Sequence, residues 1–434
     1  MTAEVRRLAV LSMHTDPLAP LGGDFTGGMN VYAREVAKAL AGLGVRVDVF
    51  TRLESDASER EVPLADGARL IRVEAGPRER LDKDAQVEWA DAFAKGIAAF
   101  GAESGARYDG VSAHYWLSGL AGERLGRAWG VPLGIRFHTL AALKNDALPE
   151  DTRRESGIRL TSEPGLAGAA DALLASSPAE ARAISELSAG AEVHVVPCGV
   201  DLGRFKPYPR DEARARLGFR PDIAYVLSVG RIERVKGLDR LIEAFALMRS
   251  ERPGLDARLL HIGGEIRVGA VRAGESYRAA DFASPAQAAE VARLEELARK
   301  LGVADAIIFV GAKPQEALPL YYSAADLFAL PSRYESFGMT AVEASACGLP
   351  TLAFDVGGLS QAVREGVSGH LIADGDMDAY AKKMLQTLEN PRERPCRGAT
   401  RWAESFAWRR VAEAELEIWA RLRRGAALSS THAS

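Results

Sequence analysis

The sequence is poor in cysteine and contains no long apolar segment. Its three cysteines, Cys198, Cys347 and Cys396, lie far apart and without CxxC spacing. Neither a disulfide framework nor a thiolate zinc site is predicted, and we expect a cytoplasmic protein because the thiols indicate a reducing compartment. No apolar run approaches the roughly 20 residues that span a bilayer, so we expect no transmembrane segment. Peripheral contact with a membrane stays open.

The chain also lacks an excess of positive charge. Its formal net charge is −4, and charged residues make up 26% of the composition. This balance argues against a dedicated nucleic-acid-binding protein, which needs a basic field. The hydrophobic fraction of 47% and the length of 434 residues are instead typical of a soluble globular protein with two or three domains.

Short apolar runs alternate with helical periodicity along the chain, which is the pattern of parallel α/β sheets. The segments after Leu8, Val45, Gly110 and Leu133 are expected strands of a first domain, residues 1–205. A proline-punctuated stretch leads into a second series of strands, which predicts a second domain at 206–400. We expect a final helix within 401–424 and a disordered tail at 425–434. Residues 265–284 lack periodicity and predict a long surface loop.

Three motifs contain residues that suit phosphate and sugar chemistry. A glycine-rich loop at 22–30 follows the first strand and opens a helix, where free backbone amides can bind phosphate. In the second domain, Arg231 and Lys236 lie five residues apart after a strand, and such fixed cations can stabilise a diphosphate leaving group. Farther on, Glu335 and Glu343 flank a loop-to-helix junction, and carboxylates accept hydrogen bonds from paired hydroxyl groups.

Three other classes of protein fit the sequence less well. A nicotinamide-dependent oxidoreductase should contain GxGxxG and an acidic residue at the end of its second strand, but that strand runs into Thr51 and Arg52. A P-loop protein should contain GKS or GKT after its glycine-rich loop, and neither follows here. An inactive sugar-binding protein has no reason to retain the complete cationic and acidic set.

Together the motifs resemble the family 4 retaining glycosyltransferases over nearly the whole chain. The segments that carry the resemblance read GGMN, HYWLSG, FHTLAALKN, VGRIERVKG, ESFGMTAVEASACGLPTLA and GGL. The family has the GT-B architecture, in which two Rossmann-like domains face a cleft and a final helix crosses back to the first domain. Within the family, the likeness is to the D-inositol 3-phosphate glycosyltransferases of mycothiol synthesis and, more distantly, to the sucrose-phosphate synthases.

The resemblance implies a nucleotide-sugar co-substrate bound by the second domain, without a metal or other cofactor. Arg231 and Lys236 would bind the diphosphate and Glu343 the ribose, while Gly28 approaches from the first domain. The transferred sugar would contact Glu335 and His138 together with the amides of Gly338, Met339 and Thr340. The implied catalytic residues are His138, Arg231, Lys236 and Glu335. UDP-glucose and UDP-N-acetylglucosamine are the expected donors. The main departure from the family is the stretch 265–284, which is longer and more charged than the equivalent loop, and we expect it to cover the donor site.

The acceptor implied by the resemblance is a small phosphorylated polyol or sugar, with inositol phosphate first and fructose 6-phosphate second. Its phosphate would be bound by Lys83, Tyr115, Thr139 and Arg159, and Asn30 would orient a ring hydroxyl. Two cations and two hydroxyl donors can satisfy a phosphate dianion. The other interpretation is that Lys83 and Arg159 are surface charges and that Tyr115 is packed. A lipid or glycan acceptor and a homodimer also stay open.

Overall fold

The computed structural model of the chain describes residues 5–188, 190–268, 270, 276–390 and 396–432. Within them two mainly parallel sheets form, each covered by helices on both faces. The strands of the first sheet are β1 (Arg7–Leu11), β2 (Arg46–Arg52), β3 (Glu61–Ala65), β4 (Ala68–Val73), β5 (Gly110–His114), β6 (Leu133–Arg136), β7 (Ala172–Ala175) and β8 (Val193–Val195). Those of the second are β9 (Ala224–Val229), β10 (Ala257–Ile262), β11 (Ile307–Phe309), β12 (Leu327–Leu330), β13 (Thr351–Phe354) and β14 (Gly369–Ile372).

The helices divide in the same way. The first domain contains α1 (Gly28–Ala41), α2 (Ala90–Ser104), α3 (Trp116–Trp129), α4 (Ala141–Ala147), α5 (Gly157–Ala169) and α6 (Pro178–Leu187). The second contains α7 (Arg210–Leu217), α8 (Leu238–Glu251), α9 (Pro285–Lys300), α10 (Leu318–Ala324), α11 (Met339–Ala346), α12 (Leu359–Ala362), α13 (Met377–Glu389) and α14 (Arg397–Ala403), and α15 (Trp408–His432) follows them. The predicted α/β class and GT-B architecture are confirmed by this arrangement.

Apolar side chains of each central strand are buried on both faces of the sheet. In β1, Leu8 and Val10 pack on the side of α1 and α15, while Ala9 and Leu11 pack on the side of α2 and α3. Such two-sided burial explains why these strands read as short continuous apolar runs. Both β3, which pairs antiparallel with β4 at the sheet edge, and β14 were missed by the sequence prediction. The half-exposed β3 contains Pro63 at its centre, and a proline within a short apolar run argues against a strand.

Both sheets change strand order at their centres. The first sheet runs β3-β4-β2-β1-β5-β6-β7-β8, and the second runs β11-β10-β9-β12-β13-β14. The chain therefore reverses direction across the sheet between β1 and β5 and again between β9 and β12. Ligands of open α/β sheets bind in the crevice at the carboxyl ends of such strands, because the flanking loops diverge there.

The last helix joins the two domains. A backbone hydrogen bond from Val200 to Phe406 starts the crossing, and the indole of Trp419 lies on the first sheet, where a Cβ on Gly110 or Gly134 would be 2.7 or 2.8 Å from it. The crossing helix begins at Trp408, because α14 still packs on α11 in the second domain. Helical structure extends to residue 432, so it includes most of the tail for which disorder was predicted; residues 433–434 lie outside the described residues.

The segment 265–284 is more ordered at its described ends than the predicted surface loop. Ile266 pairs with Phe282 in an antiparallel bridge, and the Phe282 side chain is completely buried in the core of the second domain. The middle of the segment, 269 and 271–275, lies outside the described residues. In the following helix α9, Val291 and Leu294 form a buried apolar stripe, whereas Leu301 is exposed because the helix has already ended.

No helix within the described parts of the chain is both long enough and apolar enough to cross a membrane.

Candidate active site

One cleft between the two domains is lined by every residue that the sequence analysis assigned to donor or acceptor. It has a volume of about 300 Å³. From the first domain, the lining includes Gly28, Asn30, Lys83, Tyr115, His138, Thr139 and Arg159; from the second, it includes Arg231, Lys236, Glu335, Gly338, Met339, Thr340 and Glu343. Across residues 5–432 as far as they are described, no cluster of three or more histidine, cysteine, aspartate or glutamate side chains is arranged to hold a metal ion.

The two cations of the second domain are paired with carboxylates. Arg231, in the loop after β9, forms an ion pair with Glu233. Lys236, at the end of a short 3-10 helix, places Nζ 2.6 Å from Oε1 of Glu335, whose carboxylate also accepts a hydrogen bond of 2.8 Å from the Ser332 hydroxyl. Because β9 and β12 are neighbours, their loops place these groups at one edge of the sheet. Both lysine and arginine side chains stay about one quarter exposed, at 23% and 26%.

Helix α11 opens towards the cleft at Gly338. This residue has φ 99°, and a Cβ there would lie 2.4 Å from Leu359, so both the backbone conformation and the space require glycine. The next amides, of Met339 and Thr340, begin the helix and have no carbonyl within it to accept from them. A helix N-terminus of this kind attracts anions and polar oxygens.

Glu343 lies one turn farther along α11 and is almost completely buried, with 6% of its surface exposed. The Tyr322 hydroxyl donates a hydrogen bond of 3.1 Å to its carboxyl group. Burial raises the pKa of Glu343 to about 7, and Tyr322, Arg204 and Gln315 oppose this effect in part. A carboxyl group that is desolvated and only partly hydrogen-bonded is ready to accept hydroxyl donors from a ligand.

The glycine-rich loop of the first domain contacts the second domain directly. A guanidinium N–H of Arg231 donates to the Asp24 carbonyl at 3.0 Å, and the amide of Gln287 donates to the Gly22 carbonyl at 3.1 Å. A Cβ on Gly28 would lie 3.2 Å from the sulfur of Met339. The start of α1 therefore closely approaches the start of α11, which brings two helix N-termini to the same cleft.

Asn30 holds this loop in place. Its side chain accepts from the Gly27 amide at 2.9 Å and donates to the Thr15 hydroxyl and to the Asp16 carbonyl, both at 2.8 Å. Both amide protons are thus used within the first domain. Asn30 was predicted to orient an acceptor hydroxyl. Only the second lone pair of its side-chain carbonyl oxygen is left to accept a hydrogen bond from such a hydroxyl.

Arg159 is buried to 2% exposure and is surrounded by partners. Its guanidinium lies 2.6 Å from Glu163 and 2.8 Å from Glu155, and it also donates to the carbonyl and the hydroxyl of Thr139. Burial opposes ionisation of Glu155, but Arg159, Lys144 and the more distant charge of Lys83 together lower the pKa of that carboxyl to about 2. Arg159 and Thr139 are therefore adjacent, as expected for one binding site.

Lys83 occupies a different environment. Its ammonium group lies 5.6 Å from the ring of Phe25 and 5.7 Å from that of Tyr115, and no carboxylate of the described residues pairs with it. Burial, followed by the nearby charge of Arg231, lowers the pKa of Lys83. The Tyr115 hydroxyl, also buried, has no hydrogen-bond partner among the described side chains and backbone. The interpretation of Lys83 as a solvated surface charge does not fit this position.

Two non-glycine residues of the described chain have a left-handed backbone, and both line the cleft. Tyr115 has φ 75° and His138 has φ 63°, and they follow the neighbouring strands β5 and β6. Strained conformations of this kind persist where surrounding structure holds them, and they are frequent at functional sites. The Ser336 hydroxyl, from the second domain, donates to the His138 carbonyl and fixes this turn.

The sequence analysis missed several residues that line the same cleft, among them His14, Lys144 and Ser336. His14 follows β1 at the carboxyl edge of the sheet, where its ring lies 4.3 Å from that of Tyr115. Its position after the first strand was an available signal, because the carboxyl ends of parallel strands converge. Lys144 gives no such signal, since its role depends on contact with Glu155 from a distant turn.

Comparison with known proteins agrees with this geometry. A family model described as "Glycosyl transferase 4-like domain" matches residues 27–199, and one described as "Glycosyl transferases group 1" matches residues 209–402. The chain is 39% identical to D-inositol 3-phosphate glycosyltransferase of Actinosynnema mirum, over 96% of this chain and 98% of that one. It is 40% identical to the enzyme of the same name from Thermomonospora curvata, with 96% of each chain covered.

Solved structures share the fold. Sucrose-phosphate synthase from Thermosynechococcus elongatus matches with a TM-score of 0.84 and 30% identity, over 97% of this chain and 100% of that one. WaaG, a glycosyltransferase involved in lipopolysaccharide biosynthesis, matches with a TM-score of 0.66 and 18% identity over 95% of this chain and 99% of that one, which shows the fold alone. The identity along almost its whole length to the inositol-phosphate enzymes establishes that the chain belongs to the family 4 glycosyltransferases and is itself a glycosyltransferase.

Proposed function

We propose that the enzyme transfers a hexose or N-acetylhexosamine from a UDP-linked donor to a small phosphorylated acceptor, inositol phosphate, with retention of anomeric configuration. The observation that carries the proposal is that one cleft brings donor-type groups of the second domain opposite acceptor-type groups of the first. The relatives of about 40% identity that bear the name D-inositol 3-phosphate glycosyltransferase support the acceptor.

In the proposed reaction, bond cleavage between the sugar and the diphosphate places negative charge on the leaving group. Arg231 and Lys236 supply fixed positive charge there, and the N-termini of α1 and α11 supply backbone amides. Glu343 accepts hydrogen bonds from the ribose hydroxyls. The proposal assigns stabilisation of the leaving diphosphate to these protein groups and invokes no metal ion or other cofactor.

The state of Glu335 supports retention without a covalent intermediate on the enzyme. Its carboxylate is already bound to Lys236 and Ser332, so it is better placed to contact a sugar hydroxyl than to attack the anomeric carbon as a free nucleophile. NMR of the product formed from an α-linked donor should show an α linkage. A β linkage would refute retention.

The acceptor site is proposed to bind a phosphate dianion through Lys83, Tyr115, Thr139 and Arg159. Lys83 has no carboxylate partner among the described residues, and the Tyr115 hydroxyl is buried and unpaired there, so both groups have unused capacity for hydrogen bonding. Fructose 6-phosphate is the second candidate, because the sucrose-phosphate synthase structure is similar at 30% identity.

The free state of the described cysteines supports a cytoplasmic enzyme.

A screen of donors against acceptors, with products identified by mass spectrometry, tests the proposal. UDP-glucose and UDP-N-acetylglucosamine should each be paired with inositol phosphate, fructose 6-phosphate, the two unphosphorylated compounds, and lipid and glycan acceptors. Transfer to inositol phosphate at a much higher rate than to inositol is the expected result. Equal use of the phosphorylated and unphosphorylated forms, or transfer to a lipid or glycan alone, would contradict it.

A further inference from the structure

Two histidine rings form a hydrogen-bonded pair beneath the cleft. His114 ends β5 and is buried to 1% exposure, whereas His138 follows β6 and lines the cleft. Nδ1 of His114 lies 2.8 Å from Nε2 of His138, and the rings are stacked with centroids 5.1 Å apart. His114 does not reach the cleft, so its contribution must pass through His138.

Both rings are neutral near pH 7. Burial, together with the charge of Arg136, lowers the pKa of His114 to about 3. Burial, followed by the neighbouring His114 and Arg136, lowers the pKa of His138 well below its usual value. Each ring therefore carries a single proton, and one of those two protons lies in the hydrogen bond between them.

The surroundings of His114 distinguish the two possible arrangements. Its Nε2 is buried and has no hydrogen-bond partner in the described parts of the chain. If His138 donated the shared proton, the proton of His114 would sit on that Nε2 as a buried N–H without an acceptor. If His114 donates from Nδ1, only an unprotonated nitrogen is buried there. Folded proteins rarely bury an unpaired N–H, so the second arrangement is favoured.

The same arrangement places a proton on Nδ1 of His138. That atom forms no hydrogen bond within the described structure and is not one of its buried unpaired nitrogens, so it is open to the cleft. The ring of Tyr32 packs edge-on against His138 at 5.5 Å and also contacts His114, which limits rotation of the pair. Tyr32 is itself fixed by a hydrogen bond to Glu415 on the crossing helix α15.

We propose that His114 is a positioning residue, which holds His138 as the Nδ1–H tautomer and directs that N–H towards the transferred sugar. The proposal deepens the proposed function, since it rests on His138 facing the donor sugar. His114 is the first residue of the HYWLSG segment. In this proposal it contributes to sugar transfer without contacting the substrate. The expected consequence is that a group at position 114 must donate a hydrogen bond for His138 to donate one in turn.

Nitrogen NMR of the ligand-free enzyme tests the tautomer without reference to activity. The chain has only seven histidines, so selective ¹⁵N-histidine labelling and His138→Gln identify the His138 signals. A protonated Nδ1 and an unprotonated Nε2 on His138 are expected. A proton on Nε2 would overturn the proposal. Failure of the proposed function is a separate result, because it would appear as a wild-type enzyme that does not transfer to inositol phosphate.

Three replacements of His114 test the consequence for catalysis, in whichever donor and acceptor pair the wild type uses. His114→Asn keeps a donor near the Nδ1 position and should retain kcat within about threefold. His114→Asp in its ionised form can only accept, so at a pH where it is ionised it should lower kcat roughly 10- to 100-fold. His114→Phe fills the space without a donor and should resemble His114→Asp. Melting temperatures are compared in parallel. Equal kcat in the asparagine and phenylalanine variants, whether high or low, would show that position 114 serves packing alone.

Discussion

The donor and acceptor halves of the cleft hold their cations in different ways. On the donor side, Arg231 and Lys236 each face one carboxylate and stay about one quarter exposed. On the acceptor side, Arg159 is buried to 2% and bound by Glu155, Glu163 and Thr139. Ion pairs at partly exposed sites can exchange partners at little cost, whereas a buried pair leaves an uncompensated charge when it opens.

This difference implies that basic residues have different functions in the donor and acceptor halves of the cleft. The donor cations are able to exchange a carboxylate for the diphosphate as it develops charge. Arg159 also holds the turn at Thr139 and the carboxylates around it, so it can contact a phosphate only from its fixed position. Lys83, which has no carboxylate partner in the described structure, is the acceptor-side cation best able to bind a phosphate.

The largest effect is expected on the donor side. Lys236→Ala removes a cation that stabilises the leaving diphosphate, and it also leaves Glu335 without its lysine partner. Loss of a few kcal/mol of transition-state stabilisation corresponds to roughly a 100-fold or greater decrease in kcat at saturating donor. Lys300→Ala is the matched control, because that lysine is 70% exposed in the same domain. Near-normal turnover of the Lys236 variant would remove it from the donor site.

On the acceptor side, we expect two basic residues to give separable results. Lys83→Met keeps an apolar chain against Phe25 and Tyr115 but removes the charge. It should lower kcat/KM for a phosphorylated acceptor roughly 10- to 100-fold, which is the effect of one charge-assisted hydrogen bond, without lowering the melting temperature. Transfer to the unphosphorylated acceptor should change little. An unchanged preference for the phosphate would contradict the assignment of Lys83.

Arg159→Ala should instead reduce stability as well as activity. Removal of the guanidinium leaves the buried carboxylate of Glu163 without its ion-pair partner. Breaking a buried ion pair in this way costs about 3–5 kcal/mol of folding free energy. Denaturant unfolding of the wild type, Arg159→Ala and Lys83→Met measures the difference. Full stability of the arginine variant would contradict its role in holding the acceptor turn, and an undiminished preference for the phosphate would remove Arg159 from the acceptor site.

The sequence predicted the fold because it depends on local signals, and the residues that the motifs singled out lie together in one cleft for the same reason. Buried strands read as apolar runs, and each motif directly follows a strand, so the sheet brings the motifs together at one edge. What the sequence did not predict is the set of partners of each side chain. Arg159 meets Glu163 within its own helix, but Arg231 meets Asp24 from the other domain, and that contact depends on how the domains close.

A smaller effect, tied to pH, is expected at the donor ribose. Burial raises the pKa of Glu343 to about 7, and hydroxyl donors of the ribose favour the ionised form. As the pH rises towards 7, the affinity for a UDP-sugar should therefore increase roughly tenfold per pH unit. Above pH 7 the affinity should level off, because Glu343 is then already ionised. Calorimetry between pH 5.5 and 8 measures this, with Glu343→Gln as a pH-independent control. A UDP-sugar is suitable because its diphosphate does not titrate in this range, and constant wild-type affinity would contradict the role of Glu343.

The same shift predicts how stability without donor depends on pH. The folded-state pKa of Glu343 lies above its unfolded value, so the protonated carboxyl favours the folded state. Its contribution to the free energy of unfolding is complete below the unfolded pKa and is lost as the pH rises through about 7. Glu343→Gln should remove the part of the decrease in the free energy of unfolding that ionisation of Glu343 causes as the pH rises. Thermal melts of the two proteins between pH 5 and 8 provide the comparison.

The smallest effect is expected at Gln287, which connects the two halves of the cleft. Its side chain donates to the Gly22 carbonyl at 3.1 Å and to the Asp24 carboxylate at 2.9 Å, and it accepts from the Glu265 amide. Each such hydrogen bond contributes about 1 kcal/mol, so Gln287→Ala should open the ligand-free domains and raise the donor KM several-fold with little change in kcat. Gln386→Ala, at an exposed position of the second domain, is the control. X-ray scattering should give a larger radius of gyration for the Gln287 variant, and saturating donor should restore the compact form. Two results together would contradict this prediction: the same radius of gyration for the variant and the wild type, and the same radius of gyration for the wild type with and without donor. Domain closure would then not be the step that brings the donor and acceptor halves together.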